Sequence, residues 1–131
     1  MRDYVFFYLN GEPREVRREA TGMMLSDYLR YEQGLPGTKV VCAEGDCGAC
    51  TVLRCFPKPK AKKPGAFLPV NACITTVAQM DGSSLVSVDA LAGQTANGRA
   101  EHAPVLTPVQ RSMVGCNGSQ CGFCKPGFVM S

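Results

Sequence analysis

Four cysteines restrict what this chain can become more than any other feature. Cys42, Cys47 and Cys50 are spaced C-x4-C-x2-C, and Cys73 follows on a separate stretch. That is the ligand spacing of a plant-type 2Fe–2S cluster, held by four cysteine thiolates. Three of the four lie close in sequence, so the chain between them must wrap as one tight loop. Gly45 and Gly48 sit inside it. Lacking a Cβ, they let the backbone come near a cluster and adopt dihedrals closed to other residues. Their N–H groups can then point at the cluster sulfides, contacts that hold the loop and tune the potential. Cys73 has to arrive from another element, which the step Asn71-Ala72-Cys73 after a strand allows. On spacing alone, a zinc site or buried free thiols are the alternatives.

A second group repeats the arithmetic. Cys116, Cys121 and Cys124 are again spaced x4 and x2. No cysteine lies downstream of Cys124, and Cys55 is the one uncommitted thiol. Cys121 and Cys124 therefore read as half a site, and Cys116 is ambiguous.

Eight cysteines in 131 residues could instead be a disulfide scaffold. The thiols cluster in short-range groups rather than spreading as staples, and an apolar content of 45% is enough for a real core. No secretory signal precedes Met1-Arg2-Asp3-Tyr4. Reduced, metal-bound cysteine in a cytoplasmic protein is the expectation. The net charge of +3 is mild and argues against a nucleic-acid partner. Much of it comes from Lys58, Lys60, Lys62 and Lys63, interleaved with Pro57, Pro59 and Pro64, a composition that predicts an extended solvated loop. No apolar stretch is long enough to span a membrane.

The pattern of elements is that of a small α+β domain. Tyr4 to Leu9 is aromatic and β-rich, and Asn10-Gly11 after it predicts a hairpin, with Glu15 to Arg18 as the return strand. Thr21 can cap a helix through Met24, Leu25, Tyr28 and Leu29, ended by Gly34, Pro36 and Gly37. Thr51 to Cys55, Ala66 to Val70 and Ser84 to Val88 read as strands. Around residue 90 the character changes, and Gly93 to Ala103 is a plausible linker. Thr107-Pro108-Val109-Gln110 is a helix start with a capping box, and a second helix starts at Pro126 with Lys125 at the cap. The last helix is cut short in sequence, so the expectation is a fragment whose Val109, Met113, Phe128, Val129 and Met130 face missing partners.

Three stretches resemble the iron–sulfur part of the molybdenum hydroxylases, xanthine dehydrogenase above all. They are Glu44-Gly45-Asp46-Cys47-Gly48-Ala49-Cys50-Thr51-Val52, Asn71-Ala72-Cys73, and Gly118-Ser119-Gln120-Cys121-Gly122-Phe123-Cys124 with Pro126 to Ser131. The resemblance implies an N-terminal β-grasp, plant-type ferredoxin-like domain over residues 1–90. It implies the start of a helical-bundle 2Fe–2S domain, incomplete, over residues 91–131. Cys42, Cys47, Cys50 and Cys73 match the first cluster's ligands, and Cys121 and Cys124 match two of the second's. Gln120 matches a residue that hydrogen-bonds the pterin. The family's downstream Cys-x-Cys is absent here, Lys125 stands where the family has Thr, and Cys116 is given no role.

By that resemblance the chain moves electrons between a molybdopterin site and FAD, both carried by partner domains or subunits, and is not catalytic by itself. Alternatives are a free-standing ferredoxin-type carrier, the small subunit of an aldehyde oxidase-type hydroxylase, and a zinc or interaction module. The helical tail with its own cysteine pair argues against a plain ferredoxin. Partners from nucleic acid or membrane are not expected.

Overall fold

The computed structural model describes residues 2–56, 65–92 and 105–131. Its centre is a five-stranded mixed sheet in the order β2-β1-β5-β3-β4. The strands are β1 (Tyr4–Leu9), β2 (Glu12–Arg17), β3 (Thr51–Cys55), β4 (Leu68–Asn71) and β5 (Ser84–Val86). β1 runs parallel to β5, and every other pair is antiparallel. The expected Lys/Pro loop and the expected linker lie outside the described residues, apart from their edges.

β1 alternates as a half-buried strand should. Phe7 and Leu9 enter the core, while Tyr8 stays exposed. Asn10 and Gly11 both take positive φ, 53° and 87°, the pair a two-residue primed turn requires. Leu9 therefore pairs with Glu12, and β2 starts three residues earlier than expected. It stops at Arg17 because Arg18 turns to φ 55°. Both edge strands carry a proline, Pro13 and Pro69, where a missing N–H costs no ladder bond.

The helix across the sheet differs from expectation at its start. Thr21 lies in a 3-10 turn (Arg18–Gly22), and its hydroxyl donates to the Arg18 carbonyl at 2.6 Å. The α-helix α1 (Leu25–Asp27) begins after Met24 and continues as wider π-helical turns over Tyr28–Glu32. No side chain caps it. Its free N–H groups are taken by distant carbonyls instead, Leu25 by Thr75 at 2.7 Å and Ser26 by Ala72 at 3.0 Å. Tertiary bonds thus replace the local cap, so Thr21 is not needed for it. Leu25, Tyr28 and Leu29 are buried as the periodicity predicts, but Met24 is not.

The core comprises Phe7, Leu9, Val16, Leu25, Tyr28, Leu29, Val52, Val77, Met80 and Leu85, and it extends to Cys50, Ala72 and Cys73. β5 ends two residues before the expected limit, since the Ser87 N–H leaves the ladder for Asn10 Oδ1 at 2.9 Å. β4 starts at Leu68, opposite Arg54, rather than at Ala66.

In the C-terminal part, α2 (Pro108–Gly115) has the expected capping box. Gln110 N donates to Thr107 Oγ1 at 3.3 Å, and Thr107 N donates to Gln110 Oε1 at 2.9 Å. The helix closes with Cys116 at the C-cap, Asn117 at φ 50° and Gly118 N donating back to the Met113 carbonyl at 2.9 Å. That is a Schellman-type ending, with asparagine in the left-handed position. α3 (Lys125–Met130) has Cys124, not Lys125, at its N-cap. Lys125 is already helical, so a capping penalty does not apply to it. Val109 and Phe128 are exposed as expected, whereas Met130 is buried at 3% exposure.

Leu29 is fully buried at the centre of the core under the helix. Leu29→Ala is expected to cost about 2–5 kcal/mol through lost burial and the cavity left behind. The check is urea unfolding, with a lower midpoint and an unchanged slope.

Candidate metal centre

Two thiols face inward and two lie toward the surface. Cys50 and Cys73 are buried, Cys42 is half-buried, and Cys47 is exposed. Cys50 ends the loop and leads into β3, whose Thr51 pairs with Asn71 across the ladder. Cys73 follows that ladder by two residues, so the β3–β4 pairing brings it beside Cys50. The Ala72 N–H donates to the Cys50 carbonyl at 3.3 Å and holds the two segments together.

The loop from Cys42 to Cys47 turns its amides inward. The Cys47 N–H donates to Cys42 Sγ at 3.5 Å. With it, the N–H groups of Glu44 and Asp46 and the Cys47 thiol pull the Cys42 thiol down to about 6. The Gly45 N–H is directed at the Cys73 sulfur. Four consecutive amides, 44 through 47, therefore surround the thiols in the manner of an anion-binding nest. Cys73 goes the other way, to about 11, because burial disfavours its thiolate, as do the hydrogen bond with Cys50 and the nearby thiols of Cys50 and Cys42. All four thiols thus interact within one site: Cys42 with Cys47, Cys73 with Cys50, and the two pairs with each other.

The backbone pays for this curvature with dihedrals in the left-handed region. Ala43 has φ 59°, Gly45 81° and Gly48 71°. Gly45 is favoured by this conformation; a Cβ there would also lie 2.5 Å from Ile74 Cδ1, the tip of an exposed side chain that can turn aside. The Gly48 carbonyl accepts from Thr51 N at 3.1 Å and Thr51 Oγ1 at 2.6 Å. One residue that sequence reasoning left without a role stands out here. Asn71 Nδ2 donates to the Gly45 carbonyl at 2.5 Å and pins the loop to β4. Its position two residues before Cys73 was visible in the sequence, and its partner was not.

Among the described residues, no three Cys, His, Asp or Glu side chains form a ligand set for a single ion. The donors at this site are four soft thiols beside inward-turned backbone amides. That chemistry fits a cluster of two irons, which soft thiolates select.

The second group is arranged differently. Cys116, Cys121 and Cys124 are all exposed, and so is Gln120. Gln120, Cys121 and Cys124 share a surface hollow with Asn117, Ser119 and Lys125. Gly122 takes φ 81° between the two cysteines, and its carbonyl accepts from Lys125 N at 3.2 Å. The Lys125 ammonium lies 5.8 Å from the Phe128 ring centroid. Cys55 is buried, with its thiol 3.1 Å from the Gly65 carbonyl, on the far end of β3 from the loop.

Residues 7–78 match the 2Fe–2S iron–sulfur cluster binding domain, and residues 95–131 match a second 2Fe–2S binding domain. The chain belongs to the family of 2Fe–2S iron–sulfur cluster binding domains. Its sequence is similar to the iron–sulfur regions of xanthine dehydrogenases and aldehyde oxidases. Xanthine dehydrogenase 1 of Arabidopsis thaliana is 40% identical over 124 residues, which is 95% of this chain and 8% of that protein. Aldehyde oxidase 1 of Bos taurus is 36% identical over 127 residues, 97% of this chain and 9% of that protein. Among solved structures, quinoline 2-oxidoreductase from Pseudomonas putida 86 superposes with a TM-score of 0.71 at 31% identity, covering 97% of this chain and 65% of that one. Aldehyde oxidoreductase from Desulfovibrio gigas gives 0.73 at 32% identity, covering 98% of this chain and 12% of that one. The chain thus spans under a tenth of the curated relatives' length, and its small mixed sheet with few helices is that of a 2Fe–2S ferredoxin-like domain.

The opposed thiol acidities give a direct check on the metal-free chain. Cys42 is a thiolate above about pH 6, while Cys73 stays protonated until about 11. Iodoacetamide labelling, mapped by peptide mass, is expected to modify Cys42 with a midpoint near 6 and to spare Cys73 at neutral pH. A Cys42 midpoint near the ordinary thiol value of about 8.5 would contradict the amide arrangement.

Proposed function

We propose that this chain is the electron-transfer segment of a xanthine dehydrogenase- or aldehyde oxidase-like molybdenum hydroxylase. The observation that carries the reading is the convergence of Cys42, Cys47, Cys50 and Cys73 under the amides of residues 44–47. These four thiolates hold one 2Fe–2S cluster. Bound there, the cluster would supply one-electron transfer at low potentials that protein side chains do not reach. The C-x4-C-x2-C spacing with Cys73, and the match of residues 7–78 to a 2Fe–2S cluster binding domain, support two irons over zinc.

The residues around the cluster have separable tasks. Amides of Glu44, Gly45, Asp46 and Cys47 stabilise negative charge on the sulfurs. Asn71 fixes the loop through the Gly45 carbonyl. Cys47 lies at the solvent face, where a redox partner can approach closest. In the wider enzyme, residues 1–90 and 91–131 act as two units that lie between an FAD-binding and a molybdopterin-binding domain or subunit. Cys121 and Cys124 are two ligands of a second cluster, and Gln120 faces the pterin. The protein works in the cytoplasm, and no helix among the described residues is long and apolar enough to cross a membrane. The free-standing carrier is the weaker reading, because a second 2Fe–2S binding domain matches residues 95–131.

Iron analysis and EPR test the reading. The 131-residue chain purified without oxygen is expected to hold about two irons and to give one cluster signal on reduction. Cys47→Ser, which puts a hard ligand at a soft site, is expected to abolish or grossly shift it. A colourless, zinc-loaded chain after faithful reconstitution would contradict the assignment.

Asn71→Ala leaves the Gly45 carbonyl without its clamp. Outer-shell losses of this kind typically cost about 10–100-fold in metal affinity. Faster loss of the visible charge-transfer absorbance to a chelator, on that scale, is the expected result.

A further inference from the structure

α3 meets the cluster loop through a glycine. Gly127 is buried, and a Cβ built on it would overlap the Gly48 carbonyl oxygen and lie 2.7 Å from Ala49 Cα and 2.8 Å from Gly48 C. The three nearest atoms are all backbone, so no side-chain rearrangement makes room. Gly127 is helical, and glycine there is not needed for its dihedrals. Glycine carries a cost in helix propensity relative to alanine. In a helix of six residues that cost marks close backbone approach as the reason for the glycine. Met130, one turn on, is buried on the same face, whereas Phe128 points away at 68% exposure. α2 by contrast buries no residue. The C-terminal segment is therefore seated on the sheet domain through the Gly127–Met130 face of α3.

The contact also joins the two thiol groups. Gly48 and Ala49 lie between Cys47 and Cys50, and Gly127 is three residues after Cys124. We infer that Gly127 is a positioning residue: its backbone contact with Gly48 and Ala49 fixes the separation between the first cluster and the Cys121–Cys124 segment. Any side chain at position 127 lifts α3, and Cys124 with it, away from the cluster loop. Electron tunnelling falls off exponentially with distance, so a lift of this kind slows exchange in either direction. The inference rests on the proposed cluster at Cys42, Cys47, Cys50 and Cys73.

The test is a distance measurement in the 131-residue chain. With Cys116→Ser and Cys121→Ser, a nitroxide is attached at Cys124, and its dipolar coupling to the reduced, paramagnetic cluster is recorded. The parent is expected to give one defined coupling. Gly127→Val is expected to weaken and broaden it while the cluster's own EPR signal stays intact, and Phe128→Ala to leave it unchanged. A Gly127→Val coupling identical to the parent's, or a parent without a defined coupling, would overturn the inference. If the valine variant loses its cluster, Gly127→Ala is judged by the same criterion. A parent lacking any cluster signal would instead refute the cluster reading itself, and the positioning role with it.

Discussion

The inward set of backbone N–H groups from residue 44 to residue 47 is the constraint on which the site depends. Burial disfavours a thiolate, and in the metal-free chain Cys73 registers that burial, reinforced by its hydrogen bond with Cys50 and by the neighbouring thiols, as a thiol pushed up to about 11. The amides oppose it by directing fixed partial positive charge at the sulfurs, and Cys42 registers that as a thiol drawn down to about 6. Backbone dipoles do this without adding a mobile side chain. They can do so only while Ala43, Gly45 and Gly48 stay in the left-handed region. Such dihedrals persist where the surroundings over-determine them.

The rest of the domain supplies that over-determination. Asn71 holds the Gly45 carbonyl from β4. The Arg30 guanidinium donates to the Pro36 and Thr38 carbonyls at 3.1 and 2.9 Å, bracing the chain just before the loop. Asp89 accepts from Gly37 N at 2.9 Å, and its other carboxylate oxygen takes the Ser87 hydroxyl, tying the same approach to the end of β5. The start of α1 spends its free N–H groups on Ala72 and Thr75, which flank Cys73. Helix, sheet and cluster loop are thereby one mechanical unit, and the hydrophobic core continues into Cys50 and Cys73.

Much of this was legible in the chain itself. The hairpin announced itself by Asn10-Gly11, and α2 by Thr107-Pro108 with Gln110. These signals are local, because turn and cap chemistry is decided within a few residues. What the sequence hid is what depends on distant partners. Thr21 looked like a cap because nothing local shows that the carbonyls of Ala72 and Thr75 reach the helix first. Lys125 looked like a cap because Pro126 suits the first helical position, whereas the structure starts the helix one residue earlier. Met130 looked like partner surface until its helix packed against the loop through Gly127. Asn71 and Gly127 carried no signal beyond their neighbours' identities, since each acts on a backbone remote in sequence.

The most direct measurement is X-ray absorption at the iron edge of the anaerobically purified chain. Iron in an all-sulfur four-coordinate shell with a second iron as near neighbour is the predicted result. Iron with nitrogen or oxygen in its shell, or without an iron neighbour, would contradict a two-iron cluster on Cys42, Cys47, Cys50 and Cys73.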